Sequence, residues 1–209
     1  PNGVAGLRRV FTGSELAALA EGVIGDGRGD VPGPPGREAF AESASAASAA
    51  GRHQDALLLL LESGLSNGDP MAEEIERVVA EPGARQLVDA LMRAIVLAEA
   101  QPETGLRLLD RVDRTALSRP HVLDVFRANA LVAADRRAEA KDLLLATLSQ
   151  APYLAAAYKD LGDLYFAEFM TEEAWLAWEL GRLIAPDHEC WNGLRAFERR
   201  LRTTYADVL

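Results

Sequence analysis

The chain has 209 residues and a formal net charge of −10, with 22 Lys and Arg against 32 Asp and Glu. This balance excludes a general nucleic-acid binder, which needs a basic face to displace phosphate counterions. The single cysteine, Cys190, excludes an internal disulfide framework and a multi-cysteine zinc site. Abundant alanine, few aromatics (6%) and scarce β-branched runs predict an all-α chain with closely packed helices.

In chain order, Thr12 to Glu15 forms a capping box, with Thr12 as N-cap and Glu15 at the third helical position. It opens a short helix, SELAALAEGVI, carrying Leu16, Leu19, Val23 and Ile24. GDGRGDVPGPPG at 25–36 then places five glycines and three prolines in twelve residues, which no helix continues through. Residues 1–36 are read as an N-terminal helix and linker, and 37–209 as a helical domain. Apolar spacing in that domain predicts helices at 37–50, 53–64, 70–80, 84–100, 103–114, 120–134, 137–150, 153–168, 171–184 and 188–204. The longest aliphatic run, ALLLLL at 56–61, is too short for a bilayer span of about 20 residues, so no membrane insertion is expected. No signal peptide is visible. The chain begins at Pro1, which leaves the compartment open: cytoplasmic by default, exported if the chain is a fragment.

Periodicity follows. Gly162, Ala174 and Pro186 are evenly spaced, and Ala128, Ala140 and Pro152 repeat that spacing one unit earlier. The unit is about 34 residues, the length of a helix–turn–helix repeat. The turns AGRHQDA (50–56), EAQPETG (99–105) and ADRRAEA (134–140) share one shape, and Ala196 falls one unit after Gly162. An extra helix near 70–80 interrupts the period, and the last helix is half a unit.

Residues 155–188 resemble a tetratricopeptide repeat. Tyr158, Leu161-Gly162, Tyr165, Ala174, Trp178, Gly181 and Pro186 fill every signature position. Residues 121–154 match less fully, since Asp124 and Arg127 stand where large apolar residues are usual, and 86–120 and 37–70 are degenerate. The resemblance implies a right-handed α–α superhelix of about four helix pairs, with the inserted helix and a C-terminal capping helix. Tyr158, Tyr165 and Trp178 would then be core, and Gly162 and Ala174 would let paired helices touch. It also implies a concave groove lined by positions two, five, nine, twelve and thirteen of each first helix. These are Val122, Val125, Asn129, Val132 and Ala133 in one unit, and Ala156, Lys159, Asp163, Phe166 and Ala167 in the next. Such a lining suits an extended or helical segment of another protein, held by aliphatic contacts and oriented by Asn129, Lys159 and Asp163. The competing readings fill the groove with the 70–80 helix or the N-terminal helix, or leave it without a ligand. Asp160 stands where a chaperone-tail clamp would want a basic or amide group, which argues against that ligand. Trp175, at a variable position, either packs near Trp191 or serves as a surface anchor; Phe169 is expected to plug the interhelical turn.

No catalytic constellation is present: no H-E-x-x-H, no phosphate-loop G-x-x-x-x-G-K-[ST], no G-x-S-x-G and no zinc-spaced Cys/His set. His53, His121 and His188 are scattered over different units. Arg195, Arg199, Arg200 and Arg202 form a local basic cluster read as a solvated helix face. The expectation is a non-catalytic scaffold or adaptor, with no metal and no cofactor, that binds a protein or peptide segment. Homo-oligomerisation through an open end stays open. The alternatives are an accessory domain of a larger enzyme or envelope-assembly protein, and a helical enzyme whose site has no known motif.

Overall fold

The structure, a computed structural model, describes Leu16 and residues 18–20, 33–69, 71–81 and 85–204. Among these residues there is helix and no strand. The helices are α1 (Arg37–Ala49), α2 (His53–Asn67), α3 (Ala72–Ala80), α4 (Arg85–Ala100), α5 (Pro102–Leu109), α6 (Pro120–Ala133), α7 (Arg137–Gln150), α8 (Ala155–Ala167), α9 (Thr171–Ile184) and α10 (Asn192–Thr204). Short 3-10 turns at Arg114–Ala116 and Glu189–Trp191 precede α6 and α10. No described helix is long and apolar enough to cross a membrane.

The helices pack in adjacent pairs: α1 with α2, α4 with α5, α6 with α7, and α8 with α9. Successive pairs also touch, α5 on α6 and α7 on α8. Three of the pairs turn in the same way. Gly51, Asp135 and Phe169 adopt left-handed backbone, with φ of 74°, 59° and 63°. Each donates its N–H to the carbonyl three residues back, and the next residue donates to the carbonyl five back (Arg52 to Ala47, Arg136 to Leu131, Met170 to Tyr165). This doubly bonded helix stop satisfies the last carbonyls of the first helix and reverses the chain.

Three element boundaries differ from the sequence expectation by more than two residues. α2 runs through Gly64 and stops at Gly68, whose φ of 75° supplies the left-handed residue the stop needs. α5 ends at Leu109 rather than 114, because Asp113 accepts hydrogen bonds from the N–H and hydroxyl of Thr115 and draws the backbone into a separate turn. α10 begins at Asn192 rather than 188, because His188 Nδ1 accepts the Cys190 N–H (3.1 Å) and starts the 3-10 turn.

The aromatics expected in the core are in it. Tyr158, Tyr165, Trp178 and Trp191 are buried. Gly162 is small because the Trp178 indole lies on it: a Cβ there would sit 2.3 Å from the ring. Gly181 does the same for Trp191, with a Cβ 2.6 Å from that ring.

The central element is α2. Leu57, Leu58, Leu59 and Leu60 are all buried. Successive helical side chains point about 100° apart, so burying four in a row requires neighbours on every side. α1 and α3 supply two sides, and α4, α6 and α8 supply the others. Thus α2 lies across the first helices of the three pairs that follow it. At the N-terminus, Leu16 and Ala20 join the core, while Ala18 and Leu19 border a cleft of about 540 Å³ against Leu145, Leu148 and Ser149 of α7. The capping box, Val23, Ile24 and residues 25–32 of the linker lie outside the described residues.

Candidate functional site

Polar contacts fix where α2 crosses. Near its start, Asp55 Oδ1 accepts the Ser118 N–H (2.8 Å) just ahead of α6. In its middle, the fully buried Glu62 receives Arg119 Nη1 at 2.5 Å, His121 Nε2 at 2.8 Å and the Tyr153 hydroxyl at 2.7 Å. Near its end, the Gly64 carbonyl lies 3.0 Å from His188 Nε2. Because His188 Nδ1 accepts from Cys190, Nε2 carries the proton and donates. All of these partners sit at the N-terminal ends of α6, α8 and α10, or in the residues leading into them. From Asp55 to Gly64 the helix rises about 14 Å, more than one helix-to-helix step.

Burial alone would raise the Glu62 carboxyl. Hydrogen bonds from His121 and Tyr153 and the charge of Arg119 outweigh it and hold the carboxyl below its ordinary value. Burial first, and then the bond to Glu62, push the Tyr153 hydroxyl up to about 12. Burial pushes His188 down, so it stays neutral. Two further α2 hydroxyls, Ser63 and Ser66, are buried without a hydrogen-bond partner among the described residues.

This crossing divides the residues expected to line a groove. Val122 and Val125, near the start of α6, are completely buried in a helix that α2 packs against. They present no surface to a partner. Of the two segments that could have filled this face, the 70–80 helix packs elsewhere, and most of the N-terminal helix lies outside the described residues. α3 packs beside α2 and α4, Ala18 and Leu19 border α7, and α2 is the segment that packs on α4, α6 and α8. The residues farther along the first helices stay open. Val132 is 37% exposed and Phe166 43%, at equivalent positions of successive units. Asn129 is half-buried and hydrogen-bonds the Asp160 carboxyl. Lys159 and Asp163 form an ion pair with each other, and Asp163 Oδ1 also accepts the Trp178 indole N–H at 3.2 Å. Their charges are therefore engaged within the chain, and they flank the open surface more than they reach out of it.

Asp160 is partly buried in this neighbourhood. Burial and the nearby Asp163 push its carboxyl up to about 7, against the pull of Lys159 and Asn129. Trp175 is half-buried and stands edge-on to Trp178, with centroids 5.2 Å apart and planes at 89°. Trp191 is held separately, under Gly181, with its N–H on the Ala185 carbonyl at 2.9 Å. Phe169 does not plug its turn: it is 91% exposed.

The structure adds two residues to the open surface. The Phe197 ring on α10, 39% exposed, lies 6.1 Å from Phe166, and Phe166 lies 5.6 Å from Trp178. The signal was already in the period. Moving one unit on from Asp163 and Phe166 lands on Phe197 and Arg200. Position nine is then Asn129, Asp163 and Phe197, and position twelve is Val132, Phe166 and Arg200, carried on α6, α8 and α10 in turn. A second cleft, about 410 Å³ between α1 and α3, is lined by Ser45, Ser48, Glu74 and Arg77, with Glu74 already paired to Arg37 and Arg77.

Comparison with protein-family models, with curated proteins and with solved structures returned no match for this chain.

Proposed function

We propose that this chain is a non-catalytic protein-interaction domain of the tetratricopeptide-repeat type. It holds a segment of another protein on the open ends of its first helices. The observation that carries this reading is the pair of rows at positions nine and twelve. They place Val132, Phe166 and Phe197 at the surface beside Asn129, Lys159 and Asp163. Surface aromatics of this kind give large contact area at low entropic cost, and polar neighbours orient the bound segment. The companion half of the face is occupied by α2. A partner segment therefore runs along the C-terminal ends of α6, α8 and α10 and does not thread the whole face.

The test compares capture of partners from a native lysate by the wild-type chain and by a Val132→Asp/Phe166→Asp variant, with Lys159 as a crosslinking amine. The expected outcome is loss of the captured species and of Lys159 crosslinks in the variant, with unchanged helical content by circular dichroism. Equal capture by the two chains would remove this surface from consideration.

A further inference from the structure

Among the described residues, four of the seven large apolar side chains left at the surface belong to one group around the α8–α9 turn; Val96, Val132 and Leu183 lie apart from it. Phe166, Phe169 and Met170 follow one another through the α8–α9 turn, and Phe197 of α10 contacts Phe166 edge-on. Phe169 also breaks a local rule. The equivalent turn residues are Gly51 and Asp135, types that tolerate left-handed backbone, whereas Phe169 holds φ 63° with its ring in water. A bulky side chain kept in that conformation while almost fully exposed points to a use outside the monomer.

Charges flank this apolar cluster in two groups of opposite sign. Glu172 and Glu173 open α9 just beyond Phe169. Arg199, Arg200 and Arg202 are exposed on α10, with Arg200 one turn from Phe197. None of the five has an ion-pair partner among the described residues, although the neighbouring Glu168 is paired to Lys141, and Glu198 to Arg182. An acidic peptide or an anionic membrane would meet the arginines but be repelled by the glutamates. A surface carrying both signs around one apolar centre complements itself: a twofold rotation sets acidic against basic twice.

We propose that this surface joins two copies of the chain in a twofold dimer. Phe169 of each copy packs on the Phe166–Phe197 pair of the other, and Glu172 and Glu173 face Arg199 and Arg200 across the axis. The dimer would cover Phe166 and Phe197 and so compete with the partner segment proposed above; the purified chain, free of that segment, tests it on its own.

Sedimentation velocity of the full chain over a concentration series tests it. The expected result is a monomer–dimer equilibrium that weakens with added salt. Phe169→Gly should weaken association about 10-fold or more, the effect of losing an interface anchor, without lowering the melting temperature, since glycine suits that backbone. Glu172→Arg/Glu173→Arg and Arg199→Glu/Arg200→Glu should each abolish self-association. Mixing the two variants should give a heterodimer, and combining all four changes in one chain should restore the homodimer. A wild-type chain that stays monomeric throughout overturns the proposal. So does a Phe169→Gly chain that associates as before, or a mixture of the two swapped chains that stays monomeric although each is folded by circular dichroism. Phe169-dependent binding to phosphatidylserine vesicles by a chain that is monomeric in solution also overturns it, in favour of a lipid surface.

Discussion

At the scale of single residues, Asp160 gives the open surface a proton that moves near neutrality. Its carboxyl titrates near 7, chiefly because the fold buries it and secondly because Asp163 is close. An acid raised this way stabilises the fold while protonated. The contribution is fully present below the carboxyl's ordinary value near 3.8 and is lost as pH rises through about 7. Melting temperature followed against pH should therefore fall between pH 5 and 8 in the wild type, and Asp160→Asn should flatten that fall. Parallel wild-type and variant curves would show that Asp160 is solvated. Glu62 and His188 act in the opposite sense. Both are held below their ordinary values, so their contributions are present near neutrality and lost on acidification. Reading the sequence could assign Tyr158, Tyr165 and Trp178 to the core, because the repeat pattern names those positions. It could not assign Asp160 its proton, because that depends on how deeply α8 is covered, which no spacing records.

At the scale of elements, α2 carries the largest departure from what periodicity suggested. As the second helix of the first pair it would need one apolar face, yet it is apolar on all sides over Leu57–Leu60. That excess was visible, and an all-round apolar helix is a buried one. What covers it was not visible. The partners of Glu62 come from 57, 59 and 91 residues away, so no local window joins them. A buried carboxylate with three donors is sensitive to truncation, since removing it strands Arg119, His121 and the Tyr153 hydroxyl together. Glu62→Ala should cost about 3–5 kcal/mol, which for a chain of this size is a drop in melting temperature of about 6–20 °C. Denaturant unfolding measures it directly, and a loss under about 1 kcal/mol, the scale of a solvent-exposed pair, would mean the cluster is open to water. The turns, by contrast, were legible as turns. Their shared left-handed second residue was hidden only because three different residue types, Gly51, Asp135 and Phe169, fill it.

At the scale of the whole molecule, α2 decides how independent the pairs are. A plain repeat array is a sum of neighbour contacts, and its units can open one at a time. Here α2 touches three successive pairs, and His188 reaches back to Gly64. Hydrogen exchange should therefore show the α4–α5, α6–α7 and α8–α9 pairs opening in one cooperative event, with similar protection for the slowest amides of each. A graded loss from one end to the other would mean that α2 does not bind them together.

The same crossing bears on how the chain is made. Gly64 and His188 are 124 residues apart in sequence. At about 5–20 residues per second of synthesis, the leucine-rich helix emerges roughly 6–25 s before the last of its contacts exists. During that interval the leucine-rich helix is only partly covered on the nascent chain, since α1 precedes it but its later neighbours are still being made. The segment that ties the later pairs together in the finished fold is thus also one that an unfinished chain leaves open to aggregation.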